Sequence, residues 1–298
     1  MPIKTNCHLK SKNRMPPAPR GNWYSTRRRT VPIRPQGKND EPPSQRQIRL
    51  PPYLNINMNI LALIPHYNHP TTVGTVARGL RACGLDVLVV DDCSRPDCIP
   101  VLENLASDGI RVIRRTHNGG KGAAVRTGFE AAAELGYSHV LQIDADGQHC
   151  LDDVPKFVRA AQLNPEVLVC GQPQYGGDAP KSRLYGRKIT DFWNMVHTWS
   201  SDIKDGMCGF RLYPLPPALT VIRGEYVGNR MDFDIEILIR LYWHGIKTVW
   251  IPTPVRYAAD GISHFRALAD NILISQMHTR LFFGMLKWRW RILKGAFR

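Results

Sequence analysis

Between residues 60 and 143 short apolar runs alternate with amphipathic stretches, and that rhythm narrows the folds open to the chain. Ile60 to Ile64 reads as a strand ended by Pro65, Thr71 to Cys83 as a helix closed by Gly84, and Asp86 to Val90 as a second strand. Ile99 to Ala106 follows as a helix and Arg111 to Arg114 as a third strand. Gly119 to Leu135 is an alanine-rich helix stopped by Gly136, and Val140 to Ile143 is the fourth strand. Such spacing implies right-handed crossovers, hence an α/β, Rossmann-like mainly parallel sheet with flanking helices. Ligands of such sheets collect at the carboxyl ends of the strands.

The second half is less regular. Glu166 to Cys170 predicts a strand, 171–180 a Gly/Pro loop, and Ser182 to Ser200 a helix rich in Arg and Trp. A strand over Cys208 to Tyr213 and a helix over Phe233 to His244 precede a strand pair or bend at Thr248 to Tyr257. From Ala267 a helical pattern runs to the end.

Charge divides the chain differently. The formal net charge is +15, yet residues 1–57 hold 12 Lys/Arg against Asp40 and Glu41, and 280–298 hold six with no acid. The middle, 58–279, has a net charge of −1, which argues against a nucleic-acid-binding core. Residues 1–57 carry ten of the 23 prolines and few aliphatic side chains, the composition of a disordered basic extension. Met58 stands directly before the first strand and is a candidate start; an intact mass beginning earlier would exclude it. The expected organisation is therefore 1–57 extension, 58–265 folded domain and 266–298 basic amphipathic helix. Seven cysteines without a CxxC fit a reduced, cytoplasmic setting. No apolar run nears the ~18–20 residues that span a bilayer, and the N-terminus lacks a signal-peptide core.

Chemistry concentrates at His139 to Cys150. An apolar run breaks into Asp144, Asp146 and Gln148, which an extended chain would point to one side. Three hard oxygen donors past a strand suit Mg2+ or Mn2+ holding a phosphorylated ligand; the bland alternative is a turn with Asp side chains on local backbone. Asp91 and Asp92 end the second strand, placed either to accept a nucleobase or to cap the next helix. Asn118 to Gly122 resembles a phosphate loop at a helix N-terminus, with Lys121 as donor, although the Walker A spacing is absent.

Taken in order, Leu63 to Asn68, Val89 to Asp92, Asn118 to Gly122, Asp144 to His149, Gly209 to Tyr213 and Phe233 to Glu236 resemble the motifs of family 2 glycosyltransferases of the GT-A fold, of the dolichyl-phosphate mannose synthase-like kind. The resemblance covers about 60–280. It implies that Pro65, Tyr67 and Asp91 hold the nucleoside and that Asp144, Asp146 and Gln148 hold the cation on a nucleotide-diphosphate sugar. It places 182–194 and Arg211 near a lipid-linked acceptor and implies inversion by a single displacement. His69-Pro70 and Cys208 depart from the family pattern, where an acidic residue and a serine are usual. Arg183, Arg187, Arg211 and His264 are candidates for an anion clamp, and Asp232 or Asp234 for a general base toward a hydroxyl acceptor. A phosphate acceptor needs no base.

Leu281 to Phe297 mixes Phe, Leu and Trp with six basic residues over 280–298, the composition of a helix lying on anionic lipid or of one packed on the domain. The reading is a peripheral enzyme on the inner face of the membrane. Its rivals are a sugar-1-phosphate nucleotidyltransferase, which wants a Gly- and Arg-containing loop absent from Pro65 to Thr72, and a non-enzymatic basic membrane- or nucleic-acid-binding protein.

Overall fold

The structure is a computed structural model that describes residues 58–175, 181–255 and 267–295; the expected N-terminal extension lies outside them. Its first half follows the alternation. β1 (Ile60–His66), α1 (Val73–Ala82), β2 (Asp86–Asp91), α2 (Ile99–Ser107), β3 (Arg111–Arg114), α3 (Lys121–Glu134) and β4 (His139–Gln142) come in order. They are followed by α4 (Val154–Leu163), β5 (Leu168–Gln174), α5 (Lys181–Thr198), β6 (Arg211–Pro214), α6 (Leu215–Gly224), α7 (Phe233–Trp243), β7 (Thr248–Pro254) and α8 (Ala267–Leu293).

These strands form one sheet in the order β3-β2-β1-β4-β6-β5-β7. β1 pairs in parallel with β2 and β4, and β2 with β3. β6 runs antiparallel to both β4 and β5, while β7 is parallel to β5. Strand pleating sorts the core. Ile60, Ala62 and Ile64 face α1, α2 and α4, whereas Leu61 and Leu63 face α3, α6 and α7. Phe157 stacks on Phe210 at 4.0 Å in the first layer, and Phe129 meets Tyr213 edge-on at 5.1 Å in the second. Close approach of α3 to β1 depends on Gly128, where a Cβ would strike the Leu63 side chain.

Two helices were not expected from the sequence. α4 buries Val154, Phe157 and Ala161 on one face. α6 opens on Pro216 and Pro217, which look like breakers but sit in the first turn, where a helix needs no backbone donor. The expected loop at 171–180 is shorter at its start, because β5 continues to Gln174.

Candidate active site

The parallel strands end at a common edge, with the β1–β2 connection leaving to one side and β4 lying on the other. That divergence opens the crevice in which such sheets bind ligands. β4 stops at Gln142, and the chain turns through Ala145 and Asp146 onto Gly147, whose φ of +74° suits glycine. The expected extended array of Asp144, Asp146 and Gln148 is therefore replaced by a turn in which Asp146 Oδ1 accepts the Gln148 N–H at 3.0 Å. Both readings of the motif are thus partly present: a local turn, with two carboxylates still side by side.

Asp144 does not stand alone. Lys121 Nζ lies 2.7 Å from Asp144 Oδ1 and 2.7 Å from Asp234 Oδ2. Burial by itself would push the ammonium down, but the two carboxylates hold Lys121 well above the usual lysine value. Burial would likewise raise Asp144, and Lys121 with His149 overcomes it, keeping the carboxyl below its ordinary range. Asp146 goes the other way: burial, then the neighbouring charge of Asp144, pushes it up. His149 Nε2 is 3.5 Å from Asp144 Oδ2, and its ring lies against Phe210. Gln142, a polar residue inside an apolar run, donates to Asp234 Oδ1 at 3.0 Å.

The glycine loop has a different role from the one its sequence predicted. Asp92 accepts the N–H groups of Gly119 at 3.0 Å and Gly120 at 2.6 Å and pairs with Arg115. The Ala123 N–H goes to the Asn229 carbonyl at 3.1 Å, and a Cβ on Gly122 would lie 2.6 Å from Phe233. The Gly119, Gly120 and Ala123 amides are thus engaged within the chain, and the loop also aims Lys121. Asp92 thereby pins a loop, and neither caps a helix nor faces a base.

Asp91 is also corrected. Its carboxylate is wholly buried and accepts from His66 Nδ1 at 2.9 Å, from the Ser94 hydroxyl and from the Ser94 N–H at 3.3 Å, with Arg114 at 3.2 Å. The His69 N–H donates to His66 Nε2 at 3.2 Å, which fixes the proton on Nδ1. Burial opposes ionisation of Asp91, but His66 and Ser94 prevail and hold its pKa low. Asp91 thus ties the loop after β1 to the loop after β2 and is closed to a nucleobase in this structure. Pro65 is buried in β1 opposite Val90, and Tyr67 is half-buried just beyond.

Arg211, expected at the acceptor, is fully buried; it donates to the carbonyls of Asp234 at 2.5 Å and Gly206 at 2.8 Å. It is an internal brace, out of reach of a ligand. Asp232 accepts the Arg230 N–H at 3.1 Å and meets Arg280 at 3.2 Å, so of the two base candidates only Asp234 faces Lys121. Asp232 stands at the N-cap of α7 without a side-chain capping bond. Arg187 pairs with Asp205 and lies 4.8 Å over the Tyr175 ring. Arg183 belongs to α5, its side chain outside the described set, and His264 lies outside the described residues.

With this geometry in hand, likeness to known proteins can be weighed. The family described as Glycosyl transferase family 2 matches residues 62–216. Polyprenol monophosphomannose synthase of Mycolicibacterium smegmatis is 27% identical over 214 residues, spanning 68% of this chain and 79% of the relative. Undecaprenyl-phosphate mannosyltransferase of Micrococcus luteus is 25% identical over 204 residues, 65% of this chain and 82% of the relative. Among solved structures, glucosyl-3-phosphoglycerate synthase of Mycobacterium tuberculosis, in complex with Mn2+, UDP and phosphoglyceric acid, superposes with a TM-score of 0.60 at 16% identity. That likeness covers 78% of this chain and 80% of the other and speaks for the fold alone, a GT-A-like sheet with flanking helices. The family match runs from β1 to the start of α6, just over half of the sequence, and the chain belongs to glycosyl transferase family 2.

Proposed function

We propose that the protein moves a sugar from a nucleotide-diphosphate donor, bound with Mg2+ or Mn2+ beside Asp144 and Asp146, to a polyprenyl-phosphate acceptor at a membrane surface. One observation carries the donor half: Asp144, Asp146 and Asp234 converge with Lys121 where the parallel strands end.

The residues suit a hard divalent ion. Two carboxylates stand one residue apart, and Asp146, raised by burial and then by the charge of Asp144, is a carboxyl that a cation would relieve. Among the described residues no three His, Cys, Asp or Glu side chains form a ready metal group, so the amide of Gln148 and the donor's own phosphates complete the set in this reading. When bound, the ion supplies Lewis-acid stabilisation of the charge that builds on the leaving diphosphate. Lys121 adds a fixed positive charge on the same side. A phosphate acceptor arrives ionised, so Asp234 need not take a proton and instead holds Lys121. Inversion by one in-line displacement follows from the family resemblance.

The acceptor half rests on the relatives, whose names specify polyprenol and undecaprenyl-phosphate, and on a surface. No described helix is long and apolar enough to cross a membrane. α5, the turn after it and α8 instead present Ile189, Phe192, Trp199, Phe283, Trp290 and Leu293 to solvent. Arg289 lies 4.4 Å over the Trp199 ring and Lys294 4.6 Å over Trp290, the pairing expected at headgroup depth. Arg183 and Arg187 on α5 are the proposed contacts for the acceptor phosphate.

The test is a panel of UDP-, GDP- and dTDP-sugars with Mn2+ and a polyprenyl phosphate in detergent. One donor should give a glycosylated lipid, and Asp146→Asn should lower that rate ~10²–10³-fold without lowering Tm. Donor hydrolysis with no lipid product sinks the acceptor half; no turnover and no metal-dependent thermal shift sink the donor half.

A further inference from the structure

We propose that Lys121 is the resident counter-cation of the donor site: without donor it bridges Asp144 and Asp234, and it gives up Asp144 when a divalent ion binds, becoming free to meet the diphosphate. The inference rests on reading Asp144 and Asp146 as the ion's ligands.

Three observations carry it. First, one ammonium contacts two carboxylates from different elements at the same 2.7 Å, so it occupies the position from which a cation would answer both. Its three protons can serve both acids at once. Second, the arrangement leaves no slack on its far side. Backbone at Gly209 closes it, where a Cβ would come within 2.5 Å of Lys121 Nζ and 2.6 and 2.7 Å of the Asp144 oxygens. A second cation cannot join Asp144 on that side while the ammonium stays. Third, the backbone that carries Lys121 is fixed. Lys121 opens α3, directly after Gly120, whose φ of +97° is held by its N–H bond to Asp92. The backbone is anchored, so any departure of the ammonium from Asp144 has to come from the four-carbon side chain.

Charge gives the direction of exchange. Asp144, Asp146 and Asp234 face one lysine and the ring of His149, 3.5 Å from Asp144 Oδ2, and Arg211 reaches Asp234 through the backbone carbonyl rather than the carboxylate. Adding a divalent ion to Asp144 and Asp146 sets it against the ammonium at short range, where like charges repel strongly. The diphosphate supplies the lysine with new oxygens. Ion and nucleotide therefore assist each other's binding, by reciprocal coupling. Mn2+ alone should bind weakly.

The experiment is a Mn2+ titration of the full chain without nucleotide, read as free Mn2+ by electron paramagnetic resonance. Lys121→Met should tighten Mn2+ binding about tenfold or more, on the scale of a short-range unit charge. Asp146→Asn should weaken it in both backgrounds. Equal or weaker binding by Lys121→Met, with Asp146→Asn still effective, overturns the exchange. Indifference to Asp146→Asn in both backgrounds overturns instead the ion site on which it rests. A measurement on the unaltered chain guards against a misfolded variant: acetylation of Lys121 by a limiting amine reagent, read by mass spectrometry. Saturating Mn2+ should raise its labelling several-fold relative to the other lysines, because a side chain released from Asp144 is open to the reagent. Unchanged labelling overturns the proposal.

Discussion

At the carboxyl end of the sheet the protein buries charge and supplies its partners itself. Asp92 takes two glycine amides, Lys121 stands between Asp144 and Asp234, and Glu236 meets Arg240 at 2.7 Å and Arg280 at 2.8 Å. The outer face of α5 and α8 does the reverse, leaving Phe283 65%, Trp290 60% and Leu293 76% exposed. The first region pairs most of its buried charges within the chain and is intolerant of change, since removing one member of a buried charged network leaves the other unpaired. The second leaves large apolar side chains in solvent, and in the proposed function that face meets the membrane, since exposed apolar patches mark contact sites. Internal electrostatics thus orders the charged site, and in the proposed function the apolar face gives the side from which the acceptor arrives.

The contrast is tested hardest at Arg211. Arg211→Met should remove about 3–5 kcal/mol of stability, because it strands the Asp234 and Gly206 carbonyls in a region closed to water. Urea denaturation measures it. A loss under about 1 kcal/mol would mean that the buried network is not what holds β6 to α7, and the first half of the contrast would fail.

How much of this was legible depends on whether the determining contact is local. The pleat of β1 separates Ile60, Ala62 and Ile64 from Leu61 and Leu63 by sequence parity alone, and the acids after β4 declare themselves by following an apolar run. The antiparallel insertion of β6 between β4 and β5 was hidden, because its partners are chosen by pairing across dozens of residues. Asp232 and Asp234 looked equivalent, yet two steps at a helix start turn side chains to nearly opposite sides, one to Arg280 and the other to Lys121. Gln142 did leave a signal, being the polar residue inside the β4 run that reaches Asp234. Arg211 left none: an arginine in a motif reads as a clamp until the fold shows what surrounds it. The C-terminal helix was read as either packed or lipid-facing, and helical phase gives it a packed face and an exposed one. Met277, Leu281 and Met285, four apart, are buried, while Phe283, Leu286 and Trp290 face out.

Between the two regions lies a buried histidine pair that sharpens the comparison. His197 Nε2 and His278 Nδ1 are 3.0 Å apart where α5 meets α8, stacked with Trp193 at 5.6 and 5.3 Å. Burial pushes both down to about 4, and for His197 the neighbouring His278 adds to it. Their unfolded value is near 6.5, so the unfolded chain binds more protons between these limits. Stability is therefore full above about pH 6.5 and falls as pH drops toward 4, by ~3 kcal/mol for the pair after allowing for their coupling. Tm followed from pH 7.5 to 4.5 should show that decline, and His278→Gln should flatten it. A profile of the same slope in the variant would assign the acid sensitivity to the carboxylate network instead.

The smallest effect is expected at the face itself. Phe283→Ser with Trp290→Ser removes two exposed aromatic rings while leaving Met277, Leu281 and Met285 in the core, so stability should move by no more than about 0.5 kcal/mol. Sedimentation with vesicles of anionic lipid should nevertheless weaken about tenfold, the loss expected when interfacial aromatic area is withdrawn and the basic residues remain. Raising salt should weaken the unaltered protein further and the variant in proportion, since Lys287, Arg289, Arg291 and Lys294 are common to both. If the double variant instead unfolds easily and still binds vesicles as tightly as the parent, those rings belong to the fold and not to a docking face. The distinction between a completed charged seam and an uncompleted apolar face would then have to be given up.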